Sequence, residues 1–293
     1  MRDALPVAVL LASAVLWGLT WWPLKYFHHE GLAGASLIFF AYGSVGALLL
    51  PVLVVQRGAW RGQGRFLLLI LLLGGYANLS FATVMTYGNV VRAMVLFYLA
   101  PVWGVLGGWL FLGERIDVQR WAGVAMALLG AVLILGGPDL FAGPPSLYDL
   151  LALSSGFTFA MNNVTFRATQ RLPVASKVAA MFAGCLVMAA VLMAVQRPPL
   201  PSLDMVQWLT LPAFGVGWLL LATVATQWAV THLEAGRASI ILIAELVAAV
   251  VSATLIGGEV ITPVEMLGGL LILGATVLEA WRPPPATACR VGA

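Results

Sequence analysis

Apolar runs of about 20 residues recur along the whole chain, separated by short clusters of charges and turn formers. A helix needs about 20 mostly apolar residues to cross a bilayer. The runs predict spans near 5–24, 34–55, 66–87, 90–111, 118–136, 147–168, 175–195, 206–230, 237–257 and 264–281. The breaks fall at Lys25 to Gly31, Gln56 to Arg65, Gly88-Asn89, Gly113 to Asp117, Gly136 to Ser146, Arg167 to Lys177, Gln196 to Asp204, Thr231 to Arg237 and Gly257 to Pro263. Glycine, proline and polar clusters of this kind punctuate helices. The first run has only Arg2 before it and leads into Lys25-Tyr26-Phe27-His28-His29. Without a small-residue cleavage site it reads as a retained helix rather than a signal peptide.

The pattern repeats internally. Leu112-Gly113-Glu114-Arg115-Ile116 is echoed by Gly257-Gly258-Glu259-Val260-Ile261. In both copies a glycine, Gly123 or Gly268, opens the next apolar run nine residues after the glutamate. The two glutamates are 259 − 114 = 145 residues apart, about half the chain. Trp17-Gly18-Leu19-Thr20 up to Lys25 likewise pairs with Phe159-Ala160-Met161-Asn162 up to Arg167. The expected organisation is a five-helix repeat over 1–138, a connecting loop over 139–146, a second repeat over 147–282 and a tail over 283–293.

Composition sets the class. The chain is 61% hydrophobic and 9% charged, against roughly 25% charged in soluble domains. That excludes a water-soluble fold and predicts an all-α integral membrane protein. Two cysteines, Cys185 and Cys289, provide neither a disulfide framework nor a metal spacing. The placement of the basic residues says more than their total. With the N-terminus in the cytoplasm, the inside segments hold Arg2, Arg57, Arg61, Arg65, Arg115, Arg120, Arg167, Arg171, Lys177, Arg237, Arg282 and Arg290. The outside segments hold Lys25, Arg92 and Arg197, a split of 12 against 3. The positive-inside rule then puts both termini in the cytoplasm, which requires an even number of spans. Five spans per repeat is odd, so the second copy is expected to be inverted. Inverted repeats are a transporter signature, with the substrate site near the midplane between the halves.

Ala100-Pro101-Val102, then the Glu114 turn, then Trp121-Ala122-Gly123 resemble the EamA-type repeat of the drug/metabolite transporter superfamily. Glu245-Leu246-Val247 resembles that family's Glu-Pro-Val element, with Leu246 in place of proline. That departure predicts a ninth span without a proline kink. The resemblance covers nearly the whole chain. It implies a ten-helix secondary transporter of small organic solutes in a bacterial-type inner membrane, working by alternating access. Aromatic-rich members similar to this chain include the YddG-type aromatic amino-acid exporters. The implied function is export of aromatic or hydrophobic amino acids, with a broader metabolite or drug exporter as the alternative. The implied partners are a small-molecule substrate and membrane lipid, with no nucleic acid, and the chain acts as a monomer or homodimer.

No catalytic constellation is present, so the reading is not an enzyme, and no cofactor or metal is expected. His28, His29 and Glu30 read as a solvated loop rather than a metal site. An ATP-driven pump needs a nucleotide-binding motif, and none is found. The candidates are the intramembrane polar groups, which are costly in lipid and usually face the bundle interior or a wet cavity. In the third span Tyr76, Ser80, Thr83 and Tyr87 share a face, with Asn78 offset. They line a cavity or bond neighbouring helices. In the sixth, Asn162-Asn163 bind substrate or clamp helices together. In the eighth, Thr223, Thr226 and Gln227 are expected on one face, with the same alternatives.

Glu245 reads as the one acidic residue well inside a span, with Arg92 and Arg237 as its possible partners. It binds a substrate ammonium group or a proton, or it serves as a packing carboxyl. Pro101 is expected to kink the fourth span, as a gate or a static bend. Trp60, Trp121, Trp208 and Trp281 read as interface anchors. Trp17, Trp21, Trp103 and Trp228, with Tyr98 and Phe159, form an aromatic wall or simply pack. The glycine-rich fifth and tenth spans read as scaffold or dimer contacts.

Overall fold

A computed structural model describes residues 4–32, 34–87, 90–135, 144, 146–197, 203–257 and 262–281. Gly258-Glu259, most of the 139–146 loop, the Arg92 side chain, Cys289 and the 283–293 tail lie outside the described residues. Among the described residues every regular element is helical. In the first half these are α1 (Ala4–Gly18), α2 (Trp21–His29), α3 (Gly34–Leu37), α4 (Gly43–Val55), α5 (Arg57–Trp60), α6 (Gly64–Tyr87), α7 (Val90–Phe97), α8 (Ala100–Leu112) and α9 (Val118–Ile134). In the second they are α10 (Leu147–Ala168), α11 (Val174–Gln196), α12 (Met205–Phe214), α13 (Leu221–His232), α14 (Ala235–Leu242), α15 (Ala244–Gly257) and α16 (Pro263–Ala280). Single π-helical turns, Ile38–Tyr42 and Gly215–Leu220, join α3 to α4 and α12 to α13.

Eight helical stretches among the described residues are long and apolar enough to cross a membrane, and Val118–Ile134 is a shorter apolar helix. The helix α10 is 22 residues long but carries Ser154, Ser155, Thr158, Asn162, Asn163 and Thr165. Large apolar side chains such as Val55, Val118 and Leu255 are exposed, as expected where lipid is the solvent. Trp121, Trp208 and Trp281 are exposed, and Trp60 Nε1 donates to the Leu53 carbonyl at 2.9 Å.

Three rods are interrupted. Helix α1 ends at Gly18 and α2 begins at Trp21, with the Thr20 amide donating to the Trp17 carbonyl at 3.0 Å. Between α7 and α8 the break falls at Tyr98 and Leu99, and Pro101 sits in the first turn of α8. There its missing N–H costs nothing within α8, while the Phe97 carbonyl loses the donor it would have had four residues on. Between α14 and α15 the ladder breaks at Ile243, and the Leu246 amide turns back to the Ile243 carbonyl at 2.9 Å. The sequence predicts no proline kink here; the interruption is confined to Ile243, whose backbone stays in the right-handed helical region, and α1 packs against both α14 and α15.

Glycines set those contacts. A Cβ on Gly18 would lie 2.5 Å from the Glu245 carbonyl oxygen, and one on Gly156 of α10 would lie 2.5 Å from that of Phe97. Each break is thus pressed against the first helix of the other half. Packing between the halves is reciprocal: α1 lies against α13, α14 and α15, while α10 lies against α6, α7 and α8. Helices α9 and α16 cross at Gly130 and Gly268, where an added Cβ on either would approach the other's carbonyl at 2.6–2.7 Å. Helices α6 and α11 cross at Gly75 and Gly184.

Gly184→Val forces the Leu71 carbonyl away, and overpacking of this kind costs about 1–3 kcal/mol. The melting temperature of the solubilised protein is expected to drop by several degrees. Gly217→Ala meets nothing within 4 Å and should leave it unchanged.

Candidate functional site

The two broken rods α7–α8 and α14–α15 pack against each other, and a hydrogen bond links their interruptions. The Tyr98 hydroxyl donates to Glu245 Oε1 at 2.8 Å. Tyr98 lies in the first interruption and Glu245 in the first turn of α15, just after the second. The start of a helix carries partial positive charge, which favours a carboxylate there. Arg237, one of the partners considered for Glu245, instead donates to the Ala280 carbonyl at 2.6 Å.

Aromatic rings gather at the same place. Phe97 lies 5.6 Å from Tyr98, 5.4 Å from Phe159 of α10 and 4.6 Å from Phe81 of α6. Such separations suit tilted and edge-to-face packing. Phe97 and Phe81 were not singled out from the sequence, although the position of Pro101 four residues on marked the break beside Phe97. Trp103 lies apart from this group, packed edge-on to Phe157 at 5.7 Å.

The tryptophans of the first rod act as ties. Trp17 Nε1 donates to Thr226 Oγ1 at 3.1 Å, and Trp21 Nε1 to Ser252 Oγ at 2.9 Å. In the reverse direction Trp218 Nε1 donates to Thr20 Oγ1 at 2.9 Å. Trp228 packs against the His232 ring in a tilted pair at 4.5 Å. On α6 most polar side chains return to their own backbone. Asn78 Nδ2 donates to the Gly74 carbonyl at 2.8 Å, Ser80 Oγ to that of Tyr76 at 2.6 Å, and Thr83 Oγ1 to that of Leu79 at 2.8 Å. Tyr76 reaches across, its hydroxyl 2.8 Å from Ser154 Oγ. Tyr87 is exposed.

Asn162 and Asn163 are buried and diverge. Asn163 Oδ1 accepts from Gln227 Nε2 at 3.1 Å, while Asn162 Nδ2 points to Met181 Sδ at 3.9 Å. Thr226 and Gln227 also part, the first toward α1 and the second toward α10. The single face expected for the eighth span is therefore two, because adjacent helical residues are about 100° apart.

A second polar centre lies at the far end of α8. Arg120, only 1% exposed, bonds Glu234 at 2.5 Å and lies 3.7 Å from both Glu114 and Glu279. Glu114 in turn accepts the Ala235 and Gly236 amides at 2.7 and 3.3 Å, capping α14. Burial holds the Glu114 carboxyl above its ordinary range, with the nearby Glu234 charge adding to the rise and the two amides and Arg120 offsetting only part of it. The sequence reading counted Arg120 among the inside basic residues and did not single out Glu234 or Glu279, the latter fully buried near the end of α16. Nothing in a single sequence pairs residues this far apart.

Residues 4–136 and 146–280 each match the EamA-like transporter family. The chain belongs to that family. Among relatives, an uncharacterized transporter of Vibrio cholerae is 31% identical over 166 residues, 53% of this chain, and the match spans about half of that relative's length. A probable terminal-alkyne amino-acid exporter of Streptantibioticus cattleyicolor is 27% identical over 290 residues, covering 95% of this chain and 94% of the relative. The uncharacterized transporter YoaV of Bacillus subtilis is 25% identical over 280 residues, covering 90% and 92%. A solved crystal structure shares the fold at a TM-score of 0.74 and 18% identity, over 93% of this chain and 95% of that one. This EamA-like protein is a multi-pass membrane protein with bacterial transporter relatives.

Removing one partner of a buried ion pair costs about 3–5 kcal/mol. Arg120→Met should therefore sharply lower the melting temperature and the yield of folded protein. Arg115→Met, at an exposed position, should leave both close to wild type.

Proposed function

We propose that this EamA-like protein is a secondary transporter that exports aromatic or hydrophobic amino acids across the bacterial inner membrane by alternating access. The observation that carries this is the Tyr98–Glu245 bond between two interrupted helices, beside the Phe97 ring cluster. Interrupted helices meeting between repeats are where transporters bind substrates. Glu245 binds the substrate ammonium, and the rings of Phe97, Phe81 and Phe159 receive a flat side chain. Trp17 and Trp21 tie the neighbouring wall, and Tyr76, Asn78, Ser80 and Thr83 of α6 belong to the opposite one. The name of the Streptantibioticus cattleyicolor relative supports an amino acid as cargo.

The reading includes ten spans in two inverted repeats, 1–138 and 147–282, joined by 139–146, with 283–293 as a cytoplasmic tail. Two separate family matches and the reciprocal packing of α1 and α10 support it. The 12-to-3 split of basic residues supports cytoplasmic termini. The interruptions around Pro101 and Ile243 are the places where the half-helices tilt. No nucleotide-binding motif occurs in the sequence, so transport runs on a gradient. A broader metabolite or drug exporter is the second reading, favoured by the same pairing of one carboxylate with aromatic rings, which also suits a lipophilic cation.

Proteoliposomes carrying the chain are expected to move phenylalanine and tryptophan saturably, and threonine poorly. Glu245→Gln should lower that movement at least tenfold, and Tyr98→Phe less. Movement of cationic dyes without any amino acid would replace the leading reading with the second. Repeating the assay with and without a proton gradient tests coupling.

A further inference from the structure

Thr223, Gln227 and Thr231 recur every four residues along α13 and are 2%, 3% and 4% exposed. That spacing puts them on one face of the helix. The face meets α10, where Gln227 Nε2 donates to Asn163 Oδ1 at 3.1 Å. Three polar atoms within this seam have no partner: Asn163 Nδ2, Gln227 Oε1 and Thr223 Oγ1. The other two threonines of α13 return their hydroxyls to carbonyls four residues back, Thr226 to Ala222 and Thr231 to Gln227. Thr223 does not, and its counterpart four residues back, Leu219, lies in the π-helical turn Gly215–Leu220.

Folded interiors leave few polar groups unpaired, and a seam built only for packing is served as well by apolar side chains. Three orphaned atoms on two facing helices therefore point to a surface that is wet in another conformation. One end of the seam is clasped by cations. Lys177 Nζ, fully buried, donates to Thr231 Oγ1 at 3.0 Å, to the Phe166 carbonyl at 2.9 Å and to the Thr169 carbonyl at 3.3 Å. Arg167 Nη1 donates to the Thr231 carbonyl at 2.9 Å. On the neighbouring face of α13, between Thr223 and Gln227 in the chain, Thr226 takes the Trp17 indole, and Gly18, next to Trp17, abuts the carbonyl of Glu245 in the broken-helix site.

We infer that the α10–α13 seam is the half of the solute path between the central site and the basic face, shut in this conformation and latched by Lys177 and Arg167. This rests on the transport reading and on the orientation proposed above. The chemistry of the seam specifies a zwitterionic head group. Uncharged amide and hydroxyl groups meet an ammonium with their oxygens and a carboxylate with their N–H and O–H, without trapping a lone ion. Parting α10 from α13 frees Asn163 Nδ2, Gln227 Oε1 and Thr223 Oγ1 for water and the passing solute, and it requires Lys177 and Arg167 to release Thr231. Asn162, turned toward Met181, takes no part.

Two measurements test this. In a background with Cys185 and Cys289 replaced by alanine, Thr223→Cys and Gln227→Cys are treated in proteoliposomes with a membrane-impermeant thiosulfonate applied from each side. Leu221→Cys, on an exposed apolar face, is the control. Modification of both seam positions from the basic face alone, at rates changed at least threefold by saturating phenylalanine, is expected. Modification from neither side, or from the opposite side, overturns the inference. The paired variant Asn163→Leu with Gln227→Leu separates path from packing. The path predicts an unchanged or raised melting temperature with phenylalanine movement at least tenfold lower, and retained movement overturns it. If the wild-type chain moves no amino acid, the proposed cargo fails, while the labelling still decides whether the seam opens.

Discussion

A backbone or side-chain polar group in hydrocarbon has to find its partner inside the protein. In this chain that constraint is concentrated at the Tyr98–Glu245 hydrogen bond. Two rods give up their regular ladders within a few residues of it. Each interruption frees backbone groups that a straight helix would have paired. The bond ties the two interruptions to each other, and α1 and α10 cover them from opposite sides. The rest of the bundle is arranged so that this place stays inside the protein rather than against lipid.

Close approach makes that covering feasible. Gly18 and Gly156 bring a helix backbone directly against the carbonyls of Glu245 and Phe97, where any side chain would hold the helices apart. The same device joins α9 to α16 and α6 to α11. In lipid, apolar side chains gain nothing from avoiding water, so packing and hydrogen bonds carry helix association. The indole ties from Trp17, Trp21 and Trp218 fit that logic, each spending a buried donor on a hydroxyl of another rod.

Buried basic residues at one end of the bundle tie separate helices together. Arg120 gathers Glu114 and Glu234 from two connecting turns and Glu279 from α16, and Glu114 passes the connection on to the first amides of α14. Lys177 caps the last carbonyls of α10, where a cation complements the helix dipole, and holds α13 as well. Lys177 and Arg167 thus join α10 and α13 at one end of the seam between them.

Length and hydropathy of the apolar runs determined the helical class and the approximate bounds of the rods, because each run must match the thickness of a bilayer by itself. The repeated Gly-Glu turn and the element around Pro101 were equally local, and with them the family was legible. Glu245 and Tyr98 were legible as polar groups in apolar surroundings, but their contact was not, since they stand 147 residues apart. The one-residue interruption at Ile243 had no local signal, since leucine stands where a proline would have marked it, and the close approach of Gly18 to the Glu245 carbonyl beside it is visible only in the packed structure. Arg120 and Lys177 read only as part of the basic count, and Glu279 was not singled out, until tertiary packing showed all three buried. Spacing along one helix is a property of the sequence; which helix a polar face meets, and what satisfies it there, is decided by packing among rods far apart in the chain.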